Sequence, residues 1–366
     1  MAVRTVGVEE ELLLVDARTG EPRSVAVAVL ANAERAATDT PDWGSIEDEL
    51  QQQQIEIDTD PVTAIDELEA QLRGWRRAAD DLARRTGARI AALATSPLPV
   101  APEITVKSRY QAMTEHFGLT TSEQLTCGCH VHVGVESPEE GVAVLDRIRP
   151  WLPVLLAISA NSPYWQGQHT GYASFRSQAW NRFPSAGPTD AFGSVEGYRS
   201  YADALVATGA LLDHAMIYFD ARLSDRYPTV ELRVADVCLN VADTVLVATL
   251  ARALVDTAVT SWRHHAPAPT VPAGLIRLAN WRAARSGLDG QLLEPLTSRP
   301  QPAADVVTTL LEHVRPALVE AGDLDRVTAA WAELRHRGNG AATQRAWAAD
   351  HGLAAMVLRA AGATTD

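Results

Sequence analysis

Small apolar and polar positions alternate strictly over residues 126–135, Thr-Cys-Gly-Cys-His-Val-His-Val-Gly-Val. Successive side chains of a strand point to opposite faces. Cys127, Cys129, Val131, Val133 and Val135 therefore make one small apolar face, and Gly128, His130, His132 and Gly134 make the other. Two imidazoles flanked by glycines look onto open space. The same device recurs twice. Residues 6–15 place Glu9 and Glu11 on one face, with Glu10 pointing away. Residues 229–234 place Glu231 and Arg233 on one face, opposite Val230, Leu232 and Val234. Residues 54–58 also alternate, Ile55 and Ile57 against Gln54, Glu56 and Asp58. Glu49 is out of parity with Glu56 and lies ahead of that strand. The pattern predicts one sheet with one charged concave face.

Elsewhere the spacing is mostly helical. Pro61 marks a helix start, since proline suits the first helical position. Val62, Ile65, Leu68, Leu72, Trp75, Ala79 and Leu82 follow at three- and four-residue intervals up to Gly87. Residues 89–95 read as a short apolar strand, 107–117 as a helix, and 138–160 as one or two helices around Pro150 and Pro153. After residue 235, helices are predicted near 242–263, 272–285, 303–319, 324–335 and 344–359. Residues 161–188 have no helical period and are rich in glycine, aromatics and amides. A long ordered loop of this kind is expected to be functional, and it is a candidate lid. The fold class expected is α+β, antiparallel strands with helices packed on one side. One domain spanning 1–366 is expected, sheet-rich over 1–240 and helical over 241–366.

A chain of 366 residues suffices for a large core. The net charge of -14 gives no electrostatic support to nucleic-acid binding. A phosphorylated substrate would need local cations or bound metal to offset that field. Three clustered cysteines do not make a disulfide framework, which fits a reducing compartment. The N-terminal segment turns acidic at once, unlike a signal peptide. No uninterrupted apolar run approaches the roughly 18 residues of a membrane span. A cytoplasmic protein without membrane or nucleic-acid partners is expected.

Carboxylates two apart on a strand sit roughly 6–7 Å apart, and such groups clamp pairs of divalent cations about 3.5–4 Å apart. Oxygen ligands favour Mg²⁺, and an imidazole tilts the choice toward Mn²⁺. A single acidic pair is ordinarily a solvated sheet face; three paired stretches together favour a site. The Cys-x-Cys-His-x-His spacing suggests zinc, but strand parity sends cysteines and histidines to opposite faces. Of the two histidines, one is expected as a ligand and the other as a structural or substrate contact. Neither phosphate-binding glycine loop is present, nor the nucleophile elbow of serine hydrolases. Arg176, Arg222 and Arg233 are the available anion partners. Trp165, Tyr172 and Trp180 offer either ligand stacking or loop anchoring.

These segments occur in a fixed order: Gly-Val-Glu-Glu-Glu, Glu-Leu-Gln-Gln-Gln-Gln-Ile-Glu, Arg109-Tyr110, Cys-Gly-Cys-His-Val-His-Val-Gly, Ser-Pro-Tyr-Trp-Gln-Gly and Thr-Val-Glu-Leu-Arg-Val-Ala-Asp. The chain resembles the carboxylate–amine ligase family, the type 2 glutamate–cysteine ligases. The resemblance implies a glutamine-synthetase-like catalytic fold, a sheet funnel around ATP and Mg²⁺ or Mn²⁺. It implies amide formation between glutamate, or a related carboxylate, and cysteine or another amine, through an acyl phosphate. It implies metal ligands Glu9, Glu11, Glu49, Glu56, His132 and Glu231. Arg233, Arg176 and Arg222 would be catalytic, near the transferred phosphate or the substrate carboxylate. Arg109, His130, Trp165 and Gln166 would contact the cofactor, and a homodimer is a candidate assembly. His169 stands where the family usually has an acid, which bears on the amine partner. The competing classes are a metal-dependent hydrolase without nucleotide and a binding-only relative.

Overall fold

The computed structural model describes residues 3–35 and 41–366. The strands that position the site are β1 (Val6–Asp16), β2 (Ser45–Asp48), β3 (Gln54–Asp58), β4 (Ala88–Ala91) and β5 (Gly128–Gly134). They are followed by β6 (Tyr164–Trp165), β7 (Gln168–His169), β8 (Ala221–Leu223) and β9 (Thr229–Asp236). β6 and β7 form a separate hairpin. The other seven make one sheet in the order β2-β3-β1-β5-β9-β8, with β4 on the second half of β1. Every pairing in it is antiparallel. Leu12, Leu13, Leu14 and Val15 are all buried. This half of β1 is therefore covered on both faces, and its sequence is a continuous apolar run instead of an alternation.

The apolar face of the sheet carries most of the helices. Val6, Val8, Val131, Val133, Val230 and Leu232 share a core with Leu68, Leu72, Leu155, Leu250 and Leu254. Helices from the C-terminal third extend the same core through Leu310 and Val327. The helix Val241–Arg263 is long and apolar enough to cross a membrane by length and composition, yet it lies buried within this core. The charged face is flanked by a smaller cluster of Leu50, Met113, Ala202, Met216 and Phe219. The α+β architecture is the one expected.

Local departures have physical causes. The predicted helix begins at Ile65 and not at Pro61. Val62 exchanges backbone hydrogen bonds of 2.8 and 3.0 Å with Val6, which holds residues 61–64 extended. The strand expected over 89–95 ends at Ala91, and the next amide, Ala92, donates to Thr364 Oγ1 at 2.8 Å. The last helix runs Gly340–Ala363 and breaks at Gly352, where φ is 78°. Residues 161–188 hold the β6–β7 hairpin and the short helix Arg176–Trp180. Asn161, Ser162, Ala173, Ser174 and Arg176 are buried, and exposure falls at Gly167, Gln168 and His169 and again at Asn181, Arg182 and Pro184. A lid comprising the whole segment is thus corrected to a packed wall with an exposed hairpin tip. Helices Ala26–Arg35 and Val195–Ala207 were not foreseen.

Candidate active site

Sheet register, more than sequence proximity, assembles the site. Glu11 lies opposite Glu56, and Glu56 lies opposite Glu47 on β2. Glu9 lies between Asp58 on one side and His130 on the other. His132 faces Glu231, which faces Arg222 on β8. These side chains line a single hollow with Glu49, Arg109, Arg226 and Arg233. Eight acids and four arginines line it, so its floor is anionic. Glu10, one residue out of phase, is fully buried on the other side. There it forms a two-point ion pair with Arg76, at 2.6 and 2.7 Å, and accepts from Thr244 at 2.6 Å.

Crowding of like charges sets the proton affinities. Burial first, then the Glu11 charge, pushes Glu49 up to about 7. Burial and the charges of Glu49, Glu9 and Glu11 raise Glu56 well above the usual range. At Glu9 burial opposes ionisation, but hydrogen bonding to the two imidazoles outweighs it and holds the carboxyl low. His130 Nδ1 lies 3.2 Å from Glu9, and His132 Nε2 lies 3.1 Å from its other oxygen. Burial and Arg233 keep His130 below its ordinary value. Burial also works against a charged His132, yet Glu9 raises it overall.

Among the described residues, three sets of donor atoms lie within 4.8 Å of one another: Glu9–His132–Glu231, Glu9–Glu56–His130 and Glu11–Glu49–Glu56. All six residues expected to bind metal fall in these sets, and His130 joins them. Two further observations suit a cation. His130 Nε2 is buried with no hydrogen-bond partner, and Glu49 and Glu56 stay raised by burial and like charge although the Leu50 amide and Arg233 act on Glu49. Parity also holds for the cysteines. Cys127 and Cys129 are buried in the apolar cores, and burial raises both thiols well above their ordinary range.

The arginines divide. Arg222 donates to both oxygens of Glu231, at 2.7 and 3.4 Å, and Arg233 donates to the same carboxylate. Burial would raise Glu231, but Arg233 and Arg222 hold it down to about 2. Arg176 lies behind the hollow, buried beside Gly128. Arg109 stands at the mouth, paired at two points with Asp213. Trp165 and Gln166 are not brought to the acids. Gln166 exchanges hydrogen bonds of 2.8 and 2.9 Å with the Val100 backbone, and Trp165 packs on Phe175.

Sequence reasoning missed Glu47 and Asp236. Glu47 needs the β2–β3 pairing, which no local pattern reveals. Asp236 depends on a β-bulge: Val131 pairs with Leu232 and Cys129 with Ala235, so Arg233 and Val234 oppose His130 alone. The extra residue turns Val234 and Ala235 both to the core and returns Asp236 to the site side. Two consecutive apolar residues before an acid were the available signal.

Residues 5–353 match the model of glutamate-cysteine ligase family 2. A Streptomyces avermitilis protein named "Putative glutamate--cysteine ligase 2-1" is 56% identical over 343 residues, which cover 94% of each chain. A Streptomyces coelicolor protein, "Putative glutamate--cysteine ligase 2", is 54% identical with the same coverage. Among solved structures, glutamate–cysteine ligase of Francisella tularensis in complex with AMP superposes with a TM-score of 0.71 at 13% identity. That match covers 99% of this chain and 88% of the other. A bifunctional glutathione synthetase of Pasteurella multocida gives 0.67 at 16% identity, over 98% of this chain and 52% of that one. These distant likenesses show the fold. The match of family and fold to a sheet floored with acids and histidines places the chain in glutamate-cysteine ligase family 2.

Proposed function

We propose that this protein is an ATP-dependent carboxylate–amine ligase of the glutamate–cysteine type, acting through an acyl phosphate. The observation that carries this reading is the acidic basin, with its linked donor sets, beside arginines in a chain of this family. The AMP complex of the Francisella ligase supports nucleotide use. Glu9, Glu11, Glu49, Glu56, His132 and Glu231 would hold Mg²⁺ or Mn²⁺, with His130 beside them. When bound, such ions offset phosphate charge as a γ-phosphoryl group moves to a carboxylate.

The protein's own groups then have distinct tasks. Glu231 orients Arg222 and Arg233 by taking both guanidiniums on one carboxylate. His130, kept neutral, can offer a lone pair at Nε2. Arg109 lines the hollow with two of its five N–H donors committed to Asp213, so the others can face a ligand. Trp180, Phe183 and Tyr218 line the hollow and limit access of water, which would otherwise hydrolyse an acyl phosphate.

The test is a panel of acids and amines, led by glutamate and cysteine, with Mg-ATP. ADP and phosphate should appear in equal amounts with the amide, and hydroxylamine should trap a hydroxamate. AMP and pyrophosphate would replace the acyl phosphate with an adenylate. No nucleotide consumption with any pair would favour the hydrolase or binding-only classes. Glu231→Gln keeps shape, removes the charge shared by two arginines, and should abolish turnover with the fold intact.

A further inference from the structure

Two of the three arginines expected to serve the reaction are committed to Glu231, and Arg176 is not. Its nearest carboxylate oxygen is Asp236 Oδ1, at 4.0 Å. Asp236 is already satisfied by neutral donors. Its Oδ2 accepts from Asn161 N at 2.9 Å and Ser162 Oγ at 2.7 Å, and Oδ1 accepts from Ser174 Oγ at 2.8 Å. Ser162 Oγ in turn accepts from the backbone N of Arg176 at 3.0 Å. The carboxylate therefore fixes both ends of the segment that delivers Arg176 without clamping the guanidinium.

Apart from the Trp180 ring, whose centroid lies 5.9 Å from Arg176 Cζ, that guanidinium is poorly served. Its Nε is buried with no partner, and Nη2 makes one long hydrogen bond, 3.4 Å, to Arg233 O. The side chain is only 3% exposed. Leaving charged donors buried and unfilled is costly unless a ligand fills them. Gly128 gives the guanidinium its path. A Cβ at 128 would collide with Arg176 Nη2 and lie 3.1 Å from the partnerless His130 Nε2. The charged end of Arg176 thus sits next to His130, at the edge of the donor sets.

We propose that Asp236 is a positioning residue: held by Asn161, Ser162 and Ser174, it sets Arg176 across Gly128 so that the free guanidinium takes an anionic substrate oxygen, phosphoryl or carboxylate. The kinetic side of this inference rests on the ligase reading; the binding side does not. Asp236→Asn would turn an amide donor toward a group of donors. Gly128→Ala would displace the guanidinium while leaving the Asp236 contacts in place.

The experiment compares Arg176→Ala, Asp236→Asn, Gly128→Ala and the Asp236→Asn/Arg176→Ala double variant. Loss of Arg176 should lower kcat about a hundredfold, as for removal of an oxyanion donor. Asp236→Asn and Gly128→Ala should approach that loss with KM for ATP little changed. The double variant should be no slower than Arg176→Ala alone, because Asp236 acts through Arg176. Added guanidinium ion should partly restore Arg176→Ala and not the double variant. In the binding arm, thermal midpoints are read in Mg²⁺ with inorganic phosphate or with glutamate. The wild-type midpoint should rise with at least one, identifying the oxygen class, and the rise should vanish in all three single variants. Additive losses in the double variant, or variants that respond to both ligands as the wild type does, would overturn the proposal. So would a wild type indifferent to both ligands. If no acid–amine pair is turned over, the ligase reading fails and the binding arm still decides. If Asp236→Asn does not fold, Ser174→Ala, which removes the Asp236 Oδ1 contact, carries the comparison.

Discussion

Replacing Glu49 by glutamine should make the metal-free protein more stable at alkaline pH. Glu49 belongs to the Glu11–Glu49–Glu56 set, and burial with the Glu11 charge raises it from 4.5 to about 7. A carboxyl whose folded pKa is raised favours the folded state below its unfolded pKa. That contribution is lost as pH climbs through the folded value. The shift of 7 − 4.5 = 2.5 corresponds to about 3 kcal/mol in full. Integrated between about pH 5 and pH 8, it gives about 2.5 kcal/mol. Relief of Glu56, which Glu49 also raises, adds to this in the same direction. The assay is urea unfolding of both proteins with a chelator present, at several pH values across that window. Wild type should lose stability with rising pH by at least this much more than Glu49→Gln. Saturating Mg²⁺ should flatten the wild-type slope, because a cation replaces the protons. Parallel slopes for the two proteins in chelator would refute the claim that like-charge crowding strains this floor.

Arg76→Met should cost about 3–5 kcal/mol in urea unfolding, because it leaves Glu10 charged in the core, and adding Glu10→Met should recover much of the loss. Cys127→Ala and Cys129→Ala should each lower stability by about 1 kcal/mol through small cavities, with turnover kept; stoichiometric zinc released by either change would contradict the strand parity. Gly340→Ala should destabilise by about 2 kcal/mol or more and slow turnover, since its Cβ would strike the buried Asn161 side chain; unchanged melting and kcat would show that this contact relaxes freely.

Alternation alone located the charged faces of β1, β3, β5 and β9, because burial on one face of a strand imposes a period of two. Glu9, Glu11, Glu56 and Glu231 were therefore readable from local sequence, and so was the pair His130 and His132, though not which of the two is a ligand. What could not be read is pairing. Glu47 enters the hollow only because β2 lies beside β3, and Arg222 reaches Glu231 only because β8 lies beside β9. The helix start near Pro61 was misplaced for the same reason: a bridge to Val6, far away in sequence, outcompeted a local proline preference. The aromatic segment 161–188 looked free because its anchors are supplied from elsewhere. Asp236, Ala284 and Gln344 hold its backbone and amides. Arg109 and Gln166 were legible as residues but not as partners, since Asp213 and Val100 answer them from distant positions.

The hold of Gln344 on Asn161, two bonds of 2.7 Å across 183 positions, has a temporal meaning. A nascent chain folds from its N-terminal side as it is made. The acids of β1, β3, β5 and β9 can find one another before residue 340 has left the ribosome. The segment bearing Arg176 gains its last ties only when Ala341 donates to Ala160 and Gln344 closes over Asn161. The final ties on the Arg176 segment are therefore added by the last part of the chain to be made, after the strands of the anionic floor.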